Sequence, residues 1–137
     1  MSHSTIDPTG EQLREFAGSA DPGPIVMLNL LRFKERADGI DAADGITGRE
    51  AYERYGEAVA THLERAGGSV MFMTECAESV IAPESEAWDM LILVRYPSRQ
   101  AFLQMIADPD YQAEHGHRAA ALSDSRLVCC DEPARPA

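Results

Sequence analysis

The stretch PIVMLNLLRFK, Pro24 to Lys34, is apolar at almost every position between its proline and its basic end, with one amide, Asn29, in the middle. Ile25 to Phe33 is too short for a free-standing helix and too aliphatic for a loop, so it reads as an interior strand covered on both faces. A second run, WDMLILVRY from Trp88 to Tyr96, has the same character. One parity there carries Trp88, Met90, Ile92, Val94 and Tyr96, and the other Asp89, Leu91, Leu93 and Arg95, so both sides are substantially apolar.

Upstream of the first strand, Asp7-Pro8-Thr9 followed by GEQLREFAG reads as a capped short helix with Leu13 and Phe16 as its apolar contacts, and DPGP at Asp21 to Pro24 ends it. Downstream, KERADGIDAADGITG repeats Ala-Asp-Gly-Ile from Ala37 and Ala43 and reads as a loop. Its Asp38, Asp41 and Asp44 are spaced by three, whereas a calcium-binding loop places acidic ligands at every second position and closes on a glutamate, so a solvated lid or linker is expected. From Arg49 to Ala66, residues Tyr52, Tyr55, Val59, Leu63 and Ala66 recur every three or four positions, the period of an amphipathic helix, and Gly67-Gly68 stops it.

SVMFMTECAESVIA, Ser69 to Ala82, has strand character, and Pro83 to Ala87 connects it to the Trp88–Tyr96 strand. Ser98 caps a further helix with Phe102, Met105 and Ile106 on its inner stripe. Asp108-Pro109-Asp110 interrupts it, a second helical piece runs from about Tyr111 to Leu122, and DSRLVCCDE supplies the last strand. The expected organisation is one domain, with a core from 24 to 130, an N-terminal helical extension over 1–23 and a flexible tail over 131–137.

After the leading helix the order is β-α-β-β-α-β, the α+β ferredoxin-like unit with both helices on one face of a four-stranded antiparallel sheet. Only one parity of each central strand can lie under those helices. In Ile25–Phe33 the set Val26, Leu28 and Leu30 looks suited to that role, which places Met27, Asn29, Leu31 and Phe33 on the side of a second cover. A twofold-related copy of the chain is one such cover. Burying on the order of 500 Å² of apolar sheet at ~25 cal/mol per Å² is worth roughly ten kcal/mol before the cost of association. The leading helix folded over that face is the alternative.

Twelve basic against twenty-three acidic residues give a net charge of −11, which repels phosphate backbones and anionic lipid. Nucleic acid and membrane are therefore excluded as expected partners. No apolar stretch approaches the ~20 residues of a membrane span, and a cytoplasmic protein is expected. Cys76, Cys129 and Cys130 lack the spacing of a disulfide framework or metal knuckle and read as packed thiols. Cys129 and Cys130, adjacent on a strand, point to opposite faces.

VMLNLLRFK, AYERYGEAV, WDMLILVRYPSRQAFLQMIADPDY and RAAALSDSRL together resemble the family catalogued as domain of unknown function 1330, over roughly Pro24 to Val128. That family belongs to the dimeric α-β barrel group of ferredoxin-like proteins, so the resemblance implies this fold and a homodimer. Relatives sharing the architecture include cofactor-independent monooxygenases, haem-degrading enzymes, muconolactone-isomerase-like proteins and relatives of dye-decolourising peroxidases. The architecture thus implies no single activity, and the family supplies no established reaction.

Asn29 is the leading site candidate, because a buried amide without partners costs roughly 1–3 kcal/mol and must bond to a side chain, a water or a ligand. It either fixes strand register or orients a small ligand in an apolar pocket with Met27, Leu31, Tyr52 and Tyr55. Arg95 and Arg32, at corresponding late positions of two strands expected to run parallel, are candidates for an anion-binding end or for ordinary ion pairs. Glu75, His62 and His115 are weaker candidates for proton transfer; Glu75 would qualify only if buried, and edge exposure is expected. His115 and His117 diverge by about 200° on a helix, so no shared metal is expected, and Glu114 with Arg118 reads as a surface pair. The function expected is binding of a small, largely apolar metabolite between sheet and helices of a homodimer, with or without cofactor-independent catalysis; the alternative is a non-catalytic binding or dimerisation module.

Overall fold

The computed structural model describes residues 6–132. The first helix, α1 (Gly10–Ala17), starts from a capping box in which Thr9 Oγ1 accepts from the Gln12 backbone N–H and Gln12 Oε1 accepts from the Thr9 backbone N–H. Strand β1 (Ile25–Phe33) follows, then a short 3-10 turn (Gly39–Asp44) and helix α2 (Gly48–Arg65), which opens on a second capping box between Thr47 and Glu50. Strands β2 (Ser69–Glu75) and β3 (Met90–Tyr96) precede α3 (Arg99–Ala107), α4 (Pro109–Ala121) and β4 (Leu122–Asp131). Ser98 caps α3, and Asp108 ends α3 and caps α4, with Pro109 at the first helical position where its missing N–H is harmless. No helix among the described residues is long and apolar enough to cross a membrane.

The four strands lie in the order β2-β3-β1-β4, antiparallel throughout, which is the expected ferredoxin-like sheet. Gly48 sets how closely α2 begins against it, because a Cβ there would fall 2.3 Å from the Lys34 carbonyl oxygen and 2.6 Å from that of Ala121.

The assignment of strand faces is corrected. Ile25, Met27, Leu31 and Phe33 of β1, with Ile92, Val94 and Tyr96 of β3, form one cluster with Tyr52, Tyr55, Phe102, Met105 and Tyr111 of the helices. The odd-numbered residues of β1 therefore lie under the helices, and Val26, Leu28, Leu30 and Arg32 face away. The physical reason is volume and charge. The odd set ends in Phe33, which fits against Tyr52 at 5.7 Å between rings, whereas the even set ends in an arginine that needs water or a carboxylate.

Three further expectations are corrected. Strand β2 stops at Glu75 rather than Ala82, because β3 begins only at Met90 and offers no ladder partner beyond it; Val80 and Ile81 stand almost fully exposed in the connection. Strands β1 and β3 run antiparallel with Val26 opposite Arg95, so Arg32 and Arg95 lie at opposite ends of the sheet and form no common anion site. The loop before α2 is not a solvated linker: Asp41 is 1% exposed, bonded to Arg54 at 3.0 Å and to His117 at 2.8 Å, and docks the turn onto α2 and α4.

Helix α1 does not cross to the open sheet face. Phe16 packs edge-on against Phe102 of α3 at 5.4 Å, and its carbonyl accepts from Arg99 at 3.1 Å, which holds α1 on the helix side. The leading segment therefore does not cover Leu28, Leu30, Leu91 and Leu93, half-buried on the other face. Strand β4 runs through Asp131, one residue past the expected core boundary.

Candidate functional site

On the helix side the sheet presents rows of residues set by the strand register. One row holds Met73, Ile92, Asn29 and Leu127, one from each strand. The next holds Glu75, Met90, Leu31 and Ser125. Successive rows on one face are about 7 Å apart. Leu31 and Ser125 are sealed, but Leu127 of the Asn29 row is 44% exposed, so the cover is incomplete beside Asn29.

Asn29 is half-buried, and its Nδ2 donates to the carbonyl oxygens of Met27 and Ile92, each at 3.3 Å. Carbonyls only accept, so these two bonds fix the orientation of the carboxamide and use both of its hydrogens. Among the described residues no donor reaches Oδ1. Nor is it sealed, since the one fully buried side-chain nitrogen or oxygen without a partner among these residues is Arg99 Nε. Asn29 thus offers an open acceptor, held rigidly, in apolar surroundings.

Tyr52 and Tyr55 come down from the inner stripe of α2, with rings 5.4 Å apart. The Tyr55 hydroxyl pairs with that of Tyr111 at 2.5 Å, while the Tyr52 hydroxyl, like Asn29 Oδ1, has no hydrogen-bond partner among the described residues. Burial pushes the Tyr52 phenol up to about 12 against a partial pull from the Arg118 charge. Tyr55 is raised well above its ordinary value by burial first and by Tyr111 second. Both phenols are neutral hydrogen-bonding groups at ordinary pH.

Arg118, expected as a surface partner of Glu114, is instead 9% exposed. Its Nη1 donates to the Ile6 carbonyl and its Nη2 lies 3.5 Å from Ser125 Oγ. Glu114 turns to His117 at 3.5 Å. The helical spacing of four was visible in the sequence, but which face of α4 meets the sheet was not. Arg118 falls four residues before Leu122 and three before Ala121, both sealed in the core, and that period was the signal available.

Met27, Asn29, Leu31, Tyr52 and Tyr55 are thus gathered on the helix side, and the other candidates lie elsewhere. Arg95 is on the open face, paired with Glu132 at 2.6 Å. Glu75 is an exposed edge residue paired with Arg49 at 3.0 Å, two strands from Asn29 and one row off. His62 stands edge-on to Tyr111 and lines a cleft of about 220 Å³ with Arg65, Gln104, Met105 and Asp108. His115 bonds Asp7 at 2.6 Å and His117 bonds Asp41, so the two imidazoles serve different partners. Cys129 packs against the core while Cys130 sits opposite Val26 on the open face.

An antiparallel four-stranded sheet with helices on one side, carrying one amide in an apolar layer, defines a ferredoxin-like α+β protein. The chain belongs to the family described as domain of unknown function (DUF1330), whose model matches residues 42–132. It is similar to a protein of unknown function from Rhodopseudomonas palustris, 40% identical over 98% of this chain and 100% of that one, with a TM-score of 0.88. A dimeric ferredoxin-like protein of unknown function from Bacteroides fragilis shares the fold at 9% identity, covering 80% of this chain and 97% of that one, with a TM-score of 0.50. A Caulobacter crescentus protein carrying the provisional name of an antibiotic biosynthesis monooxygenase does so at 14% identity, covering 82% and 92%, with a TM-score of 0.53. No curated protein matches the chain.

Proposed function

We propose that this protein is a cytoplasmic homodimer that binds a small, largely apolar metabolite between the sheet and the helices, with Asn29 orienting it. The observation that carries this reading is the state of the Asn29 carboxamide. Both N–H groups are spent on strand carbonyls, and Oδ1 is left open beside the gap at Leu127. A structural amide needs only the first feature; an acceptor facing an apolar gap is what a ligand hydroxyl or N–H would use. The likeness in fold to a protein with a monooxygenase name is compatible with cofactor-independent chemistry at such a site and does not specify it.

The homodimer draws its support from the leucine-rich second face, whose leucines are half-buried and not covered by α1, and from the dimeric ferredoxin-like protein of similar fold. A non-catalytic dimerisation module is the second reading, favoured by the same two Asn29 bonds if their purpose is to lock β1 to β3.

Asn29→Leu separates the two. A pocket role predicts a folded variant whose melting temperature no longer rises with quinones, lactones or aromatic acids that stabilise the parent. A locking role predicts a loss of about 1–3 kcal/mol in stability and an unchanged ligand response. No stabilisation of the parent by a broad metabolite panel would count against the pocket.

A further inference from the structure

Arg118 presents a feature that the Asn29 site alone does not explain. Its side chain is nine-tenths buried, yet among the described residues no carboxylate lies within 4 Å of it, although most of the other arginines with a charge partner here sit far closer to water. A desolvated guanidinium ordinarily sits against a carboxylate that accepts two of its five hydrogens. Among the described residues two acceptors are supplied, both neutral: the Ile6 carbonyl and Ser125 Oγ.

The location of this cation follows from the register. Ser125 is opposite Leu31, one row along the helix face from the Asn29–Leu127 pair, so the guanidinium lies over the row next to that of the open Asn29 acceptor. Its charge also reaches Tyr52, whose hydroxyl has no hydrogen-bond partner among the described residues. A cation, a phenol and a carboxamide oxygen therefore border the same apolar layer.

We propose that Arg118 is the anion-binding residue of this site and that the ligand is a small carboxylic acid. Its carboxylate sits on Arg118, and its apolar body runs along the helix face toward Asn29. This inference rests on the Asn29 pocket and names the class of ligand it takes. In the present arrangement the Ile6 carbonyl stands where one carboxylate oxygen would go, so entry displaces the leading segment. That segment is suited to moving: α1 has no buried residue, and among the described residues its ties are Ile6 to Arg118, Asp7 to His115, Phe16 to Phe102 and Arg99, and the partial packing of Ile6 and Phe16 on the core. The net charge of −11 opposes anions at a distance, so recognition has to come from contact at a desolvated cation rather than from the field of the whole molecule.

The test compares benzoate, salicylate and hexanoate with benzamide, salicylamide and hexanamide, by thermal shift and calorimetry on the full-length protein. The expected result is at least tenfold tighter binding of one or more carboxylates than of the matching amide. That preference should disappear in Arg118→Met and be partly retained in Arg118→Lys. Hydrogen exchange in residues 6–17 should quicken when the carboxylate is bound, because Ile6 gives up its place.

Equal binding of acid and amide, both abolished by Asn29→Leu, would overturn the anion site and leave the pocket standing. A carboxylate preference that survives Arg118→Met would overturn it by placing the anion elsewhere. Binding of neither class would overturn it together with the pocket. Should Arg118→Met fail to fold, the acid-to-amide ratio and the exchange of residues 6–17 in the parent protein decide: a ratio near one, or slowed exchange, refutes the proposal.

Discussion

The hydroxyl oxygens of Tyr55 on α2 and Tyr111 on α4 lie 2.5 Å apart inside the core, joining two helices that no ion pair connects at that depth. Each phenol is the other's hydrogen-bond partner. Tyr55→Phe or Tyr111→Phe leaves one buried hydroxyl unpaired and should cost about 1–3 kcal/mol. The double variant should lose less than the sum of the two, since no orphan remains. Urea denaturation of the four proteins measures the coupling; strict additivity would mean that the two hydroxyls do not interact.

The same core sets a limit at high pH. Tyr52 is held up to about 12 by burial, above the ordinary phenol value of 10.0. The fold binds these protons more tightly than the unfolded chain does. This contribution to stability is therefore complete below about pH 10 and is lost as the pH climbs toward 12. Phenolate absorbance at 295 nm followed beside circular dichroism should show Tyr52 and Tyr55 ionising only as helix content falls. A fully folded protein with every tyrosine ionised at pH 11 would contradict this.

Asp41 is buried between Arg54 at 3.0 Å and His117 at 2.8 Å. Asp41→Asn keeps the volume and removes the charge that both partners face. Because Arg54 is partly exposed, the expected loss is about 2–3 kcal/mol rather than the full value for a sealed pair. Hydrogen exchange should quicken selectively in the Gly39–Asp44 turn; uniform exchange across the protein would show that the turn is not an independent unit.

Leu28 and Leu93 are opposite one another on the open face of the two central strands. If a second copy covers this face, light scattering at micromolar concentration gives twice the chain mass, and Leu93→Glu gives the single mass with the helix signal unchanged. A parent protein of single mass would remove the dimer.

The elements were legible because each has a local cause. The two aliphatic runs can only be interior strands, the three-and-four spacing from Tyr52 to Ala66 can only be one face of a helix, and Asp108-Pro109 stops one helix and caps the next. Their order then leaves few topologies, and the observed sheet is the expected one. The end of β2 was not legible, because Ser69–Ala82 has strand composition throughout and only the length of β3 cuts its pairing short.

The sheet, the helices and the presence of an amide among leucines follow from local signals, since propensity, capping and periodicity act over a few residues. Long-range packing set which parity of β1 meets the helices, that Asp41 and Arg118 are buried, and that Arg95 and Glu75 stand away from Asn29. Those outcomes depend on which side chains of distant segments fill the same volume: Phe33 against Tyr52, Arg118 over Ser125, Asp41 between Arg54 and His117. A strand with two apolar faces carries no local preference between them, and a charged helix residue is buried or exposed according to what stands opposite.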